Sequence, residues 1–111
     1  MKRIEISEVV KKVYQNDELM DLMKDGLATY NQARKLEGQL HSTRIYGNQT
    51  LSVEAKIDEI WTQNDINRKY DIIRYDIIEG INDIVGGNIV DMTGTDKQVA
   101  RRFFDAFNKM F

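Results

Sequence analysis

Apolar residues recur at three- and four-residue steps over most of the chain, and this spacing predicts amphipathic helices. The first long run carries Leu19, Met23, Leu27, Tyr30 and Ala33. Asn16 or Asp17 is placed to cap the helix that this run predicts. Gly26 lies inside the run, where glycine costs about 1 kcal/mol relative to alanine. We therefore expect Gly26 to let another backbone approach closely.

The clearest helical pattern lies in the second half of the chain. Its apolar residues follow one face for about five turns, and they are Ile66, Tyr70, Ile73, Ile77, Ile81 and Ile84. Gly86 and Gly87 come next and predict the C-terminal end of this helix. Segment 69–79 is also rich in β-favouring residues, so a strand is the alternative there. The length of the helical spacing favours the helix.

A separate apolar stripe precedes that helix. It consists of Val53, Ile57, Ile60 and Trp61. In one straight helix this stripe would be out of phase with the stripe beginning at Ile66 by about 140°. Polar residues 62–65 lie between the two stripes. The phase difference predicts a break or kink near residue 64.

The last helix is predicted to begin at a capping box. Thr95 and Gln98 have the spacing at which each side chain can bond the other residue's backbone N–H. The apolar residues that follow are Val99, Ala100, Phe103, Phe104, Phe107, Met110 and Phe111. They cover an arc of about 160°, whereas one core contact needs a stripe of about 100°. Surplus apolar surface is therefore expected on this helix.

The remaining segments carry weaker patterns. Ile4 and Ile6 alternate with charged residues, which indicates a short N-terminal strand. Residues 43–51 are interpreted as a marginal hairpin or a loop, and residues 88–94 as a connector. Taken together, the patterns predict a mainly α protein. We expect a single helical domain over residues 1–111, with about four main helices.

Composition narrows the classes of function. The chain has 111 residues, of which 41% are hydrophobic and 31% charged, enough for one packed core. It contains no cysteine, which excludes disulfides, thiolate metal sites and cysteine nucleophiles. Glu5 and Glu8 interrupt the N-terminal apolar residues, so we expect no signal peptide. No run approaches the roughly 20 apolar residues of a membrane span, so we expect a cytoplasmic protein without membrane contact.

Two charge patterns offer alternative functions. The net charge is −2, but basic residues cluster on the last helix. Lys97, Arg101, Arg102 and Lys109 share its polar side, so nucleic-acid binding is one alternative. Acidic pairs one turn apart, Glu54 with Asp58 and Glu79 with Asp83, make a metal-dependent helical nucleotide hydrolase the second alternative. Such pairs are common on solvated helices, so we expect no metal, no cofactor and no enzymatic activity.

Surplus apolar surface carries the preferred hypothesis. Large exposed apolar patches usually mark a partner. The expected interface residues are Phe103, Phe104, Phe107 and Phe111 of the last helix, with Ile72 and Tyr75 of the preceding one. We therefore expect a small non-enzymatic binding or regulatory protein, either self-associating or bound to a protein partner. The abundance of Ile and Asn, without Pro or Cys, is typical of bacterial or phage proteins.

Overall fold

The structure, a computed structural model, describes residues 3–46 and 53–108. Over these residues it is a small all-α domain, as predicted. The helices are α1 (Ile6–Gln15), α2 (Asp17–Tyr46), α3 (Val53–Ile72), a π-helical segment (Ile73–Ile78), α4 (Glu79–Val85) and α5 (Asp96–Asn108). Ile72 and Ile78, at the two ends of the π segment, both keep right-handed helical dihedral angles. The chain from α3 to α4 is therefore one continuous rod.

Two predicted helix starts are confirmed by their hydrogen bonds. The Oδ1 atom of Asn16 accepts from the backbone N–H groups of Glu18 and Leu19, at 3.0 and 3.3 Å. The backbone N–H of Thr95 donates to Oε1 of Gln98 at 2.9 Å, and the N–H of Gln98 donates to Oγ1 of Thr95 at 3.2 Å. These bonds satisfy N–H groups that have no partner within the helix. Local sequence alone therefore fixes where α2 and α5 begin.

The double glycine ends α4 as predicted. Gly86 adopts φ 81°, in the left-handed region that glycine enters without steric cost. The backbone N–H groups of Gly86 and Gly87 both donate to the carbonyl oxygen of Asn82, at 2.9 and 3.1 Å. The Asn82 side chain is buried and accepts from the N–H of Ile89 at 3.1 Å. This residue therefore joins the end of α4 to the connector behind it.

The predicted break near residue 64 is wrong, since α3 runs without interruption from Val53 to Ile72. The irregularity lies later, in the π segment. A π-helix bonds i to i+5 and so holds more residues per turn than an α-helix. The buried face consequently moves by one position beyond it. Val85 is buried and Ile84 is 38% exposed, whereas the uniform spacing placed Ile84 in the core.

The weaker patterns have mixed outcomes. Helix α2 continues to Tyr46, so the hairpin or loop predicted for 43–51 is wrong as far as residue 46. Residues 47–52 lie outside the described residues. The strand alternative for 69–79 is wrong, because the whole segment is helical. Near the N-terminus, the predicted strand is reduced to one parallel bridge between Arg3 and Asn88, with Ile4 N–H donating to the Asn88 carbonyl at 2.9 Å.

The core lies where α1, the first two-thirds of α2, the π segment and α5 meet. Its largest fully buried side chains include Phe103, Phe104, Leu19, Ile66, Ile73, Ile78 and Ile81. Gly26 of α2 faces this core as predicted. A Cβ atom at that position would lie 3.0 Å from Cγ2 of Ile77 and 3.2 Å from Cζ of Phe104. The missing side chain therefore allows α2 to approach the π segment closely.

Beyond the core, α2 and α3 continue as a two-helix arm. The molecule is elongated, with principal extents of 52, 25 and 21 Å. Among the described residues, no helix is both long enough and apolar enough to cross a membrane.

Candidate functional site

Most of the strongly exposed large apolar side chains lie on the arm, along α3, and Tyr14 of α1, 66% exposed, is an exception. Val53 is 74% exposed, Trp61 70% and Ile60 62%. An aromatic side chain buries about 150–250 Å² when it is covered, so Trp61 alone leaves on the order of 100 Å² or more in contact with water. Such a cluster on one helix is larger than the scattered surface apolar residues of ordinary proteins.

This stripe is exposed beside α2, since Trp61, Asp65 and Arg68 line a groove that Leu36 of α2 also lines. The half-buried positions Ala55, Glu59 and Thr62, followed by buried Ile66, mark the side of α3 that packs on α2. At 100° per residue, Trp61 lies about 140° around the helix from Ile66. The phase difference noted in the sequence is therefore real. Because α3 is continuous, the first stripe stays out of phase with the core and remains exposed.

On the exposed side of α3, two apolar residues flank a pair of oppositely charged residues, and the two pairs share one midpoint. We call Trp61, Asp65, Arg68 and Ile72 the outer face. Trp61 and Ile72 are eleven residues apart, which is about three turns and within about 20° of the same direction. Asp65 and Arg68 lie between them. The midpoint of the Trp61–Ile72 pair is also the midpoint of the Asp65–Arg68 pair.

The structure exposes some of the predicted interface residues and buries others in the core. Ile72 and Tyr75 are 36% and 49% exposed. Phe103, Phe104 and Phe107 are at most 2% exposed and lie in the core. The expectation that these three form an exposed face is therefore wrong. Phe111 lies outside the described residues.

The burial of the α5 aromatics has a direct physical reason. The Phe104 ring stacks on Tyr30 of α2 at a centroid distance of 4.6 Å. Phe103 meets Phe104 edge to face at 4.9 Å and lies 4.7 Å from Phe107. Helix α5 thus contacts α2 through Phe104 and the rod on another side, which buries the apolar arc from Val99 to Phe107. Met110 lies outside the described residues. An arc of this width indicates a helix covered from two directions.

The basic residues of the nucleic-acid alternative do not form one face. Arg102 donates to the carbonyl oxygens of Asp91 and Thr93 and so holds the connector in place. Lys97 forms an ion pair with Glu37 of α2. Arg101 is exposed, and Lys109 lies outside the described residues. Of the three that the structure describes, only Lys97 and Arg101 are brought together, and they line a cleft with residues of α2.

This cleft lies between α2, α3 and α5 and has a volume of about 270 Å³. Its lining residues are Tyr30, Arg34, Glu37, Tyr70, Lys97 and Arg101, with Asp105 at its edge. Glu37 accepts hydrogen bonds from the Tyr70 hydroxyl and from Lys97. Burial, reinforced by the hydrogen bond to Glu37, raises the pKa of Tyr70 above its ordinary value. Tyr70 therefore remains a donor at neutral pH.

A neighbouring arginine fixes the wall of the connector. Arg74, in the π segment, donates to the carbonyl oxygens of Gly94 and Met92 at 2.9 and 2.8 Å. It also donates to Oδ1 of Asp96 at 3.0 Å. Arg74 and Arg102 together hold the irregular stretch from 91 to 96 against the helices. That stretch ends where Lys97 enters the cleft.

The acidic pairs of the hydrolase alternative stay apart from other metal-binding side chains. Within residues 3–46 and 53–108, no group of three or more His, Cys, Asp or Glu side chains comes close enough to hold a metal ion.

Comparison of the chain with protein families, curated proteins and solved structures gave no significant match. Function must therefore be inferred from the surfaces themselves.

Sequence reasoning missed the two main surfaces for different reasons. The stripe at Ile57, Ile60 and Trp61 is visible in the sequence, but its phase difference predicts a break in the helix and not an exposed face. The cleft gave no local signal. Arg34, Tyr70 and Arg101 are separated by more than 30 residues at each step, and only the packing of three helices brings them together.

Proposed function

We propose that this chain is a small non-enzymatic binding protein that self-associates through the outer face of α3. The observation that carries the proposal is the exposure of Trp61, at 70%, on a side of α3 that the described residues leave open to solvent. Large apolar side chains exposed in a cluster usually become buried in a complex. The absence of cysteine suits a reducing compartment, which supports a cytoplasmic place of action.

The order of residues on the outer face supports a second copy as the partner. In an antiparallel pair of α3 helices centred on the shared midpoint, Trp61 lies opposite Ile72 of the second copy. Asp65 lies opposite Arg68 of the second copy, so the two central pairs have opposite charges. Each contact occurs twice because a two-fold axis relates the helices. The face is thus self-complementary in both apolar character and charge.

Solution mass tests the proposal directly. The single chain has a mass of 13.0 kDa. Light scattering during gel filtration should show the mass rising toward twice this value as the protein concentration increases. Trp61→Glu should abolish the dimer, because it would bury a carboxylate beside apolar side chains. Gln32→Glu, at an exposed position of α2, adds the same charge and should leave the dimer intact. Circular dichroism should show unchanged helix content in both variants.

A charge exchange tests the antiparallel register. Asp65→Arg and Arg68→Asp should each weaken the dimer, because each places like charges opposite one another. The double variant Asp65→Arg/Arg68→Asp restores opposite charges and should recover dimerisation. At a protein concentration of about 1 mM even a weak dimer, with a Kd in the millimolar range, would be partly formed. A wild-type chain that stays at the single-chain mass up to that concentration would overturn the proposal. A double variant no better than either single variant would exclude this register.

A further inference from the structure

The cleft between α2, α3 and α5 contains positive charge that the described residues do not neutralise. Arg34 and Arg101 both line it, and neither forms an ion pair with any residue that the structure describes. Glu37, a partly buried acid of the same cleft, already binds Lys97 and the Tyr70 hydroxyl. Asp105 is exposed at the edge and bridges to neither arginine. Two guanidinium groups therefore line one concave site in which neither is ion-paired with a described residue.

The surroundings of these two arginines fit a bound oxyanion. The Arg34 guanidinium lies over the Tyr30 ring, 5.8 Å from its centroid, which restricts its position. Tyr30 is in turn held by Tyr70 and Phe104, so its ring is fixed by the core. Guanidinium groups bind phosphate through paired N–H donors, with both direction and charge. The Lys97 ammonium, held at the cleft by Glu37, adds a third cation.

A second chamber borders the cleft and shares Glu37, Tyr70 and Lys97 with it. It has a volume of about 430 Å³ and is also lined by Asp96, whose carboxylate is already bound by Arg74, and by the uncharged Gln63, Asn67 and Thr95. These side chains offer uncharged donors and acceptors rather than an apolar wall. A ligand that spans both chambers would need an anionic end and a polar, uncharged body.

We propose that this cleft binds a small phosphate monoester. Its phosphoryl group is bound by Arg34 and Arg101, and its polar body lies toward Gln63 and Asn67. This binding site is separate from the outer face of α3 and does not depend on self-association. The recognition is of phosphate on a small molecule, not of a nucleic-acid backbone, because the cations lie inside a cleft instead of along an extended face.

Isothermal titration with ribose 5-phosphate tests the proposal, with ribose as the probe that lacks phosphate. The wild-type chain should bind the phosphate saturably and ribose not at all. Arg34→Gln and Arg101→Gln should each weaken binding by about tenfold or more, since each removes a charge-assisted pair of hydrogen bonds. Lys35→Gln removes the same charge from the adjacent, exposed position of α2 and should change the Kd by less than about twofold.

Four results would overturn the proposal. The first is an absence of saturable binding in the wild-type chain, and the second is equal binding of ribose. The third is an equal loss of affinity for ribose 5-phosphate in Lys35→Gln and Arg34→Gln, which would indicate nonspecific electrostatic attraction to the surface. The fourth is binding of a single-stranded oligonucleotide without binding of ribose 5-phosphate. Unchanged circular dichroism in each variant would show that lost binding does not reflect lost folding.

Discussion

Replacing Gly26 with alanine tests how closely α2 approaches the π segment. On an isolated helix the change would stabilise, because alanine is favoured over glycine by about 1 kcal/mol in a helix interior. In the folded chain the new Cβ atom would lie 3.0 Å from Cγ2 of Ile77 and 3.2 Å from Cζ of Phe104. Both distances are shorter than an ordinary carbon–carbon contact of about 3.5–4.0 Å. The sign of the effect depends on whether these neighbours can move.

Neither neighbour has much room. The Phe104 ring is stacked on Tyr30 at 4.6 Å and meets Phe103 at 4.9 Å. Ile77 is β-branched and 5% exposed, so its Cγ2 atom moves only if the backbone or the χ1 angle changes. Inserting a methyl group into such a core costs about 1–3 kcal/mol. Set against the gain in helix propensity, the net change should be a loss of up to about 2 kcal/mol.

Gly38 provides the matched control. It lies in the interior of the same helix, and a Cβ atom there would meet nothing within 4 Å. Gly38→Ala should therefore stabilise by about 1 kcal/mol through propensity alone. The two alanine variants should differ by about 1–3 kcal/mol. For a domain of this size that difference is a gap in Tm of at least about 4 °C.

Thermal and urea unfolding followed by circular dichroism measure both variants under the same conditions. A double-mutant cycle with Ile77→Ala adds a local test, because the smaller side chain makes room for the new methyl group. The penalty of Ile77→Ala should be smaller in the Gly26→Ala chain than in the wild type. Equal stabilisation by Gly26→Ala and Gly38→Ala, with no coupling to Ile77, would refute the close approach.

Two further predictions concern the connector. Asn82→Leu should destabilise by about 1–3 kcal/mol in urea unfolding, because it leaves the buried Ile89 N–H without its acceptor, and the Ile89 amide should exchange faster. Asn67→Leu on the exposed side of α3 is the control and should change stability by at most about 0.5 kcal/mol. Hydrogen bonds from the N–H and hydroxyl of Thr93 lower the pKa of Asp91 below its ordinary value of 3.8. This stabilisation is present above that pH and is lost as the pH falls through the lower pKa of the folded chain. The free energies of unfolding of the wild type and Asp91→Asn should therefore differ most near neutral pH and converge in acid. A difference that widens in acid would contradict the assignment.

The sequence by itself determined the helical class and several helix ends. A capping side chain and the N–H it accepts from are two or three residues apart, so Asn16 and the Thr95–Gln98 pair needed no tertiary information. The same holds for Gly86, whose left-handed conformation is a local property of glycine. Periodicity also located most core positions of the rod, because one face of a helix is read from spacing alone.

Only the tertiary structure decided which apolar residues remain exposed. The aromatic arc of α5 and the stripe at Trp61 look alike in sequence, since both present more apolar surface than one contact requires. Helix α5 is covered from two directions and buries the part of its arc that the structure describes, whereas the arm of α3 has α2 on one side and leaves Trp61 in water. Exposure depends on how many neighbours a helix has, which is not a property of its own residues.

The π segment and the cleft were beyond local reasoning for the same kind of reason. The π segment packs against α2 at Gly26 through Ile77, a contact across more than 50 residues of chain. Arg34 and Arg101 share a cleft only because α2 and α5 pack against the same rod. Each charged residue looked like ordinary solvated surface in the sequence. Their juxtaposition is a product of helix packing, which is why the candidate site emerged only from the fold.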